Sequence, residues 1–511
     1  MTDWTAGYVA DIGYTYGYYL ELNPLRVQLA FLNAGLACPE FGTACELGFG
    51  QGLSTNIHAS AAITQWSGTD FNPSQAGFAQ ELSSVSGSDA KLFDQAFDEF
   101  ANRSDLPEFD YIGLHGIWSW ISDENRAVIV DFIRRKLKVG GVLYISYNTQ
   151  PGWAAMVPMR DLLTEHSEVM GASGQGIVPR IDAALDFAEK LFATNPTYAK
   201  ANPQIADRVK KIKEQNRNYV AHEYFNRDWK PMSFADMGRW LEPAKLGFAA
   251  SANYLDFVDA INLTAEQQGL LKEIPDDMFR QTVRDFMVNQ QFRKDYWVRG
   301  ARKISALEQA EGLRAQKVIL TSHRRDVALK VVGSIGEATL SEGIYIPILD
   351  ALEDHKPKSL EQLELAVKGK DIGFAQLTQA ILILAGAGHV YAVQDEATIT
   401  KVRKRTDKLN AHLLQKARST GDIAYLASPV TGGGIPVGRF FQLFLLSIGQ
   451  GKRKPSEWAA HVWQVLQAQG QKIVKDGKTL ETPEDNLAEL QAQAEVFAQK
   501  QLPILKALQI A

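Results

Sequence analysis

A carboxylate followed by three closely spaced glycines is the feature of this chain best suited to bind a small ligand. Glu46 lies near the end of an apolar run that begins at Ala44, and Gly48, Gly50 and Gly52 follow it. Glycine permits positive φ angles and lets backbone N–H groups approach a ligand that a Cβ would exclude. The segment therefore predicts a strand that ends in a cofactor-binding turn.

The spacing of these glycines disfavours a nicotinamide dinucleotide, whose fingerprint is G-x-G-x-x-G. Here the third glycine comes four residues after the first, and Glu46 comes two residues before the first. A carboxylate at that place suits a cationic amino-acid ligand and would repel a diphosphate. Asp70 follows Gly52 by eighteen residues, at the end of the next predicted strand. It can accept two hydrogen bonds from ribose hydroxyls, so an adenosine-type cofactor is predicted.

The E-x-G-x-G-x-G pattern resembles motif I of class I S-adenosylmethionine-dependent methyltransferases. In that family the acidic residue faces the ammonium group of the methionine moiety, and the glycines pass beneath the nucleoside. Two departures from the family pattern stand out. Phe49 occupies a position that is usually Cys or Gly, and Ala96 stands where an adenine-binding Asp is common. Adenine is therefore expected at the backbone around Phe97 or at Asp94.

Composition describes an ordinary globular protein. The chain has 511 residues, a formal net charge of −5, 45% hydrophobic and 22% charged residues. This charge favours neither a nucleic-acid nor a membrane partner. Cys38 and Cys45 are expected to be reduced core residues, and the nine histidines lack zinc-type spacing, so no metal site is predicted. Without a signal peptide or an apolar run of ~18 residues, a soluble cytoplasmic protein is expected.

Short apolar strands alternate with helical segments between residues 40 and 148, which predicts a parallel α/β sheet of Rossmann-like, doubly wound type. Pro73 and Ser122 are predicted to begin helices. Residues 138–141 contain two glycines and are predicted to end the second of these helices. The five predicted strands cover residues 43–47, 65–70, 91–93, 109–114 and 142–147.

Three domains are predicted: a cofactor-binding methyltransferase domain at 1–160, a helical middle domain at 161–300 and a C-terminal domain at 301–511. The C-terminal domain is predicted to contain a winged-helix-like part near 340–395, with a β ribbon that includes residues 389–392, before a helical end. The third helix of that part carries no Arg or Lys, which makes nucleic-acid binding unlikely and favours a docking or packing role. The cations that favour a nucleic acid are Lys401, Arg403, Lys404 and Arg405. Residues 429–436 are expected to form a packed interdomain turn.

Ligands of doubly wound sheets bind beyond the carboxyl ends of the strands, so the residues that follow each strand are the candidates for chemistry. His115 and Trp118 follow the fourth strand, while Tyr147, Asn148 and Trp153 lie at or after the end of the fifth. In methyl transfer the protein must align the nucleophile with the methyl carbon and exclude water. A lysine nucleophile must first lose a proton, to a neutral His115 or to a water held by Tyr147 or Asn148.

Four further segments, which begin at His115, Ser146, His222 and Ala427, are similar to those of bacterial class I methyltransferases that carry a methyltransferase regulatory domain. That group includes rickettsial protein lysine methyltransferases. The resemblance spans nearly the whole chain and implies a C-terminal domain that helps to hold the substrate. Carried over position by position, it implies that Glu46, Gly48, Gly50, Gly52 and Asp70 bind the cofactor and that His115, Trp118, Tyr147 and Asn148 line the methyl-transfer site. Further cofactor-binding candidates are Phe49, Phe71, Phe97 and His115. The density of aromatic residues near the cofactor turn predicts substrate contacts at Tyr14, Tyr16 and Trp153, because aromatic faces attract a sulfonium and a cationic amine.

The leading hypothesis is methyl transfer from S-adenosylmethionine to a protein lysine, with a protein as the partner; whether the chain forms a homo-oligomer stays open. The first alternative is N- or O-methylation of a small molecule or glycan, which would use the same cofactor residues. The second is a non-catalytic adaptor that senses S-adenosylmethionine. A NAD-dependent oxidoreductase is the least favoured.

Overall fold

A seven-stranded sheet, here called the large sheet, organises the protein. The computed structural model describes residues 8–9, 12–172 and 174–511. The strand order is β3-β2-β1-β4-β5-β7-β6. Strands β1 to β5 run parallel, and β7 is antiparallel to both of its neighbours. The strands are β1 (Thr43–Leu47), β2 (Gln65–Asp70), β3 (Lys91–Asp94), β4 (Phe109–Leu114), β5 (Leu137–Asn148), β6 (Leu246–Ser251) and β7 (Phe292–Arg299).

Each strand of the large sheet sends alternate side chains to opposite faces, and both faces are buried. In β5, Leu143 and Ile145 lie in one apolar cluster and Tyr144 in another. Helices cover both faces, which confirms the predicted Rossmann-like, doubly wound class. The helices of this region are α1 (Pro24–Asn33), α2 (Leu53–Ala61), α3 (Pro73–Ser86), α4 (Phe97–Ala101) and α5 (Asp123–Lys136).

The start signals of two helices are confirmed. Pro73 is the first residue of α3, and the Ser122 hydroxyl caps α5 by accepting a hydrogen bond from the Asn125 N–H at 3.3 Å. The predicted stop at residues 138–141 is wrong, because α5 passes directly into β5. A Cβ on Gly141 would lie 2.9 Å from Leu137 Cδ1, so this glycine permits a close approach inside the strand.

The segment predicted as a helical middle domain also contains β6 and β7, which sequence reasoning missed. Charged residues such as Arg293 and Asp295 are typical of an exposed segment, yet both side chains are buried in β7. Arg293 pairs with Asp295 at 2.8 Å and with Asp285 at 2.6 Å, which explains how a strand can bury these charges. The helices here are α6 (Val157–Val169), α7 (Ile177–Ala193), α8 (Thr197–Ala201), α9 (Gln204–Glu214), α10 (Arg217–Tyr224), α11 (Phe234–Leu241), α12 (Asp259–Asn262), α13 (Ala265–Glu273) and α14 (Asp277–Met287).

The C-terminal region combines helices with short strands. Its strands are β8 (Lys317–Leu320), β9 (Lys330–Gly333), β10 (Gly336–Thr339), β11 (Lys358–Ser359), β12 (Val390–Ala392), β13 (Tyr425–Ser428), β14 (Gly433–Pro436), β15 (Val474–Lys475) and β16 (Lys478–Thr479). Its helices are α15 (Ala306–Ala315), α16 (Glu342–Ala351), α17 (Leu360–Ala366), α18 (Phe374–Gly386), α19 (Glu396–Lys416), α20 (Arg439–Gly449), α21 (Pro455–Gln467), α22 (Pro483–Val496) and α23 (Leu502–Ala507).

The winged-helix-like part differs from the prediction in its strand pairing. Strand β12 does not form a ribbon with a later strand; it pairs antiparallel with β8, which comes earlier in the chain and also pairs with β11. Helix α18, the predicted third helix, is buried along most of its length. Its core is continuous with the large sheet, since Ile381 and Leu384 share a cluster with Tyr111 and Tyr296. This part therefore packs as a third layer against the large sheet.

The hairpin of β13 and β14 packs against the N-terminal region. Asn23 donates a side-chain hydrogen bond to the Thr431 carbonyl at 3.1 Å. A Cβ on Gly433 would lie 2.4 Å from the Tyr18 hydroxyl, so only glycine allows this contact. The segment predicted as a packed interdomain turn is thus the turn and second strand of this hairpin. Within the described residues, no helix is both long and apolar enough to cross a membrane.

Candidate functional site

A cavity of about 390 Å³ lies at the carboxyl ends of the parallel strands of the large sheet. The turn after β1 and the residues that follow β2, β3 and β4 form its floor, and residues of the N-terminal segment form part of its wall. Sequence reasoning placed the ligand at this edge from the direction of the strands alone. The lining includes Gly48, Phe49, Gly50, Gly52, Asp70, Phe71, Phe97 and His115.

The three glycines of the turn all adopt left-handed backbone angles. Their φ values are +72° for Gly48, +57° for Gly50 and +65° for Gly52. A Cβ on Gly48 would lie 2.8 Å from Ile117 Cγ2, and one on Gly52 would lie 2.4 Å from Ala79 Cβ. Larger residues would thus strain the backbone and collide with the opposite wall. The turn is a cradle that side chains would fill.

Asp70 holds the turn from the neighbouring strand. One carboxylate oxygen accepts a hydrogen bond from the Gly50 N–H at 2.8 Å, and the other accepts one from the Asn72 N–H at 3.0 Å. Each oxygen retains a lone pair for a ligand hydroxyl. Burial raises the pKa of Asp70 to about 7, although both hydrogen bonds act to lower it. A hydrogen-bond donor or a positive charge in the cavity would stabilise the ionised form of Asp70.

Glu46 is a buried carboxylate without a cationic partner among the described residues. It accepts a hydrogen bond from the Thr55 hydroxyl at the start of α2. Burial raises the pKa of Glu46 to about 8, and the nearby Asp70 acts in the same direction. Glu46 is not part of the cavity wall itself, but the lining residue Asp70 raises its pKa, and its own charge raises the pKa of Tyr19, another lining residue. Two carboxylates with no cation between them favour a positively charged ligand.

His115 closes the floor beyond β4. Its ring stacks on Tyr19 with 3.5 Å between ring centroids, and its Nδ1 lies 2.7 Å from the Tyr144 hydroxyl. Burial lowers the pKa of His115 to about 3, so the imidazole is neutral at physiological pH. Burial is therefore the physical cause of the neutral state predicted for His115.

An N-terminal strap, residues 8–9 and 12–19, forms the wall opposite the glycine turn. Helix α10 and Asn226, two residues beyond its end, hold the strap by hydrogen bonds: Asn226 accepts from the Val9 N–H at 2.8 Å, and the His222 Nε2 lies 3.0 Å from the Ile12 carbonyl. Asn218 donates to the Gly13 carbonyl at 3.1 Å. The cavity is therefore shared between the large sheet and the middle segment.

Three residues predicted at the methyl-transfer site lie outside the cavity wall. Tyr147 donates a hydrogen bond to Asp295 at 3.0 Å, on the face of the large sheet opposite to Tyr144. Trp118 packs in that same cluster, and Asn148 is buried beside Ser119. Strand alternation explains the place of Tyr147, because one register position decides which face a side chain meets. Only His115 of this group reaches the cavity, and the functional roles stay predictions.

The predicted substrate residues are also divided. Tyr14 lines the cavity, whereas Tyr16 packs against Phe78 at 5.2 Å and Trp153 packs against Trp229 at 5.2 Å. Of the two places suggested for adenine, the backbone around Phe97 lines the cavity, and Asp94 is exposed outside it.

Several lining residues were missed by sequence reasoning. Tyr8 and Tyr19 had a signal, since they lie in or near the aromatic N-terminal stretch. Gln51 also had a signal, because it lies between Gly50 and Gly52, and Gln95 and Trp120 lie in segments that follow predicted strands. The others lie on segments that meet only in the folded chain, and no local pattern marks them: Gln75, Asn125 and Asp228.

Comparisons with known proteins agree with this geometry. The sequence model of a family described as a predicted methyltransferase regulatory domain matches residues 216–299. The protein sll1526 of Synechocystis sp. is 42% identical over 99% of this chain and 99% of its own length. The chain belongs to the same family as sll1526, and it carries the methyltransferase regulatory domain that the sequence model describes. RP028 of Rickettsia prowazekii is 29% identical over 37% of this chain and 76% of its own length.

The solved structure of PKMT2 from Rickettsia typhi, in complex with AdoHcy, shares the fold of this methyltransferase-family chain. It aligns with a TM-score of 0.69 at 18% identity and covers 97% of this chain and 99% of PKMT2. The matched regulatory segment contains β6 and β7 as well as α10, so it contributes both to the large sheet and to the strap contacts. The predicted family resemblance is confirmed.

Proposed function

We propose that the chain binds S-adenosylmethionine in the cavity and transfers its methyl group to the side-chain amine of a protein lysine. One observation carries this proposal: a cradle of three left-handed glycines lies between a ribose-type acceptor, Asp70, and a buried carboxylate without a cation, Glu46. A pyrophosphate would add negative charge to this cavity, whereas a sulfonium nucleoside with an ammonium group would add positive charge.

The residues present fit this cofactor. Glycine at 48 avoids a collision with Ile117 of the cavity wall, and glycine at 52 avoids one with Ala79 of α3, so the turn can keep its shape beside the cavity. Asp70 offers lone pairs to ribose hydroxyls, and Phe97 supplies an apolar wall for a base. When bound, S-adenosylmethionine supplies a methyl carbon attached to a cationic sulfur. Tyr14 and Tyr19 then present aromatic faces that stabilise positive charge in the cavity. The match to PKMT2, which was solved with AdoHcy, supports the assignment.

The size of the cavity supports an acceptor that reaches in from outside. Its volume of about 390 Å³ is at the low end of the roughly 300–1,000 Å³ of small-ligand pockets. A cofactor would take up most of this space, which leaves room for a side chain more readily than for a second metabolite. Tyr8, Trp120 and Asp228 line the rest of the wall and suit a cationic amine.

The test combines binding with transfer. Calorimetry is expected to show saturable binding of AdoHcy and none of NAD. Tritiated S-adenosylmethionine is then incubated with undialysed bacterial lysate, and the label is separated into protein, lipid and small-molecule fractions. Label in protein that elutes as methyl-lysine after hydrolysis is the expected result.

Other outcomes have defined meanings. If the protein binds NAD and does not bind AdoHcy, the assignment of S-adenosylmethionine as the cofactor is wrong. If the label is confined to small molecules or glycans, the methyl acceptor is one of these and not a protein lysine. If the protein binds AdoHcy tightly but transfers no label to any fraction, the non-catalytic adaptor is favoured.

A further inference from the structure

Glu223 is a carboxylate of α10 that sequence reasoning assigned no role. It lies inside the matched regulatory segment and next to the wall of the cavity. The hydroxyl of Tyr14, a lining residue, lies 3.5 Å from its Oε1. Tyr14 also faces the glycine turn, because a Cβ on Gly50 would be 3.8 Å from Tyr14 Cδ1. Tyr14 therefore stands between the cofactor cradle and Glu223.

Glu223 has no ion-pair partner among the described residues, and the Tyr14 hydroxyl is the group whose hydrogen bond lowers its pKa. The charge of Glu223 in turn raises the pKa values of five tyrosines, two of which, Tyr219 and Tyr224, also feel Arg208 of α9. Asp228, the other carboxylate at this end of the cavity, already pairs with Arg227 at 3.0 Å. Glu223 is thus the carboxylate at this end that lacks a positive charge. The tyrosines come from two elements, Tyr8, Tyr14 and Tyr19 from the strap and Tyr219 and Tyr224 from α10.

Two groups near the cavity compete as proton acceptors, and their basicities differ. Burial lowers the pKa of His115 to about 3, whereas burial raises the pKa of Glu223 to about 7, with the Tyr14 hydrogen bond opposing the rise. A general base works best when its pKa lies near the working pH. His115 is too weak a base for an ammonium, and Glu223 is in the useful range.

We propose that Glu223 takes the proton of the incoming lysine ammonium through the Tyr14 hydroxyl. The assignment rests on the proposed function. The ammonium gives one proton to the Tyr14 oxygen while the Tyr14 O–H proton passes to Glu223, which leaves a neutral amine with a lone pair and a carboxylic acid. The acid later returns that proton to water, so one proton is released for each methyl group transferred. Glu223 acts through Tyr14 and does not itself touch the reacting atoms.

The experiment compares wild type with Glu223→Gln and Tyr14→Phe, and uses Glu165→Gln as a control, because Glu165 is an exposed glutamate of α6. The acceptor is the lysate protein that takes up tritium. We expect Glu223→Gln to lower kcat at pH 7 by about 100-fold and to remove the rise of rate near pH 7, since general base catalysis contributes about 10²–10⁴-fold. Tyr14→Phe should show the same loss of pH dependence, and Glu165→Gln neither change.

Two readouts do not depend on turnover. AdoHcy affinity should stay within about twofold of wild type in Glu223→Gln, because one neutral isosteric change outside the cradle costs less than ~0.5 kcal/mol. Infrared titration of the ligand-free proteins should show carboxylic acid absorbance that is lost around pH 7 to 8 from Glu46, Asp70 and Glu223, and the part of it that titrates near pH 7 should be smaller in Glu223→Gln than in wild type.

The outcomes separate the two proposals. If wild type binds AdoHcy and labels no amine, lysine methylation is wrong. If wild type labels lysine and Glu223→Gln keeps its rate and pH profile, only the role of Glu223 is overturned. A slow variant that retains the rise near pH 7, or equal carboxylic acid absorbance in wild type and Glu223→Gln, would also overturn that role.

Discussion

The two ends of the cavity are built in different ways. The cofactor end consists of consecutive residues, a turn from Glu46 to Gly52 with Asp70 beside it, all placed by two adjacent parallel strands. The acceptor end consists of the N-terminal strap, which α10 holds in place across more than 200 positions of sequence. The first end could be recognised from local spacing, whereas the second depends on contacts between distant segments. Changes at the cofactor end are accordingly expected to have larger effects than changes at the strap.

The largest effect is expected from Gly52→Ala. Its Cβ would lie 2.4 Å from Ala79 Cβ, at a φ of +65°. The turn must move, so AdoHcy affinity should fall by at least about 100-fold, equivalent to roughly 3 kcal/mol of strain and overlap. Calorimetry measures the affinity. Gly77→Ala in α3 is the control, since nothing lies within 4 Å of its Cβ, and it should bind normally.

A normal affinity in Gly52→Ala would mean that the turn is not the cradle and would remove the contrast between the two ends.

The next effect is expected from Asp70→Asn. The amide keeps the volume but replaces charge-assisted hydrogen bonds to Gly50 and to a ribose hydroxyl by neutral ones. AdoHcy affinity should fall by about 30-fold, or ~2 kcal/mol. Asp94→Asn is the matched control, because Asp94 ends the adjacent strand β3 but is exposed. Equal losses of AdoHcy affinity in the two variants would show that Asp70 does not bind the ribose.

Binding at the cofactor end should also release protons. The pKa of Glu46 is raised to about 8 and that of Asp70 to about 7, so both are partly protonated at pH 7 in the ligand-free protein. AdoHcy is a zwitterion without net charge, but an α-ammonium group beside these carboxyl groups favours their ionised forms, so about one proton should leave per AdoHcy bound at pH 7. Affinity should rise severalfold between pH 6 and pH 7.5. Calorimetry in phosphate and in Tris measures the release through the ionisation heat of the buffer.

The stability of the ligand-free protein should move in the opposite direction with pH. Carboxyl groups with raised folded-state pKa values contribute stability that is fully present below their unfolded pKa and is lost as pH rises through the folded pKa. The melting temperature should therefore fall between pH 5 and pH 8, and Glu46→Gln should reduce both this slope and the proton release. Binding heats that are equal in the two buffers would contradict this account.

The smallest effect is expected at the acceptor end, from His222→Ala. This change removes the hydrogen bond to the Ile12 carbonyl and the ring contacts with Tyr8 and Tyr14. Loss of one hydrogen bond that holds the strap costs about 1 kcal/mol, so AdoHcy should dissociate about fivefold faster while its association rate changes little. Stopped-flow displacement measures the rate. His461→Ala, which removes a hydrogen bond to Ser447 in α20, should leave dissociation unchanged.

The strands of the nucleotide-binding half were predictable because each carries its own signal. Strands β1, β2 and β4 have the predicted bounds, since apolar runs ended by turn residues specify them locally. Strand β7 was missed because its buried Arg293 and Asp295 neutralise each other, and a pairing between side chains leaves no trace in hydrophobic patterning. Tyr147 was placed at the site, but the pleat of β5 turns it toward Asp295. Its correct face depends on the register of β5 with its neighbours.

The sequence by itself determined the cofactor cradle, because the geometry of a strand-to-helix turn depends on consecutive residues and glycine is the residue that tolerates its φ angles. It also determined the direction of the first five strands and hence the edge where the ligand binds. Only the tertiary structure decided which side chains face the cradle from the far wall. Tyr14 and Glu223 meet because α10 and the strap pack together, and such contacts between distant segments are set by the packing of the whole chain, not by any local pattern.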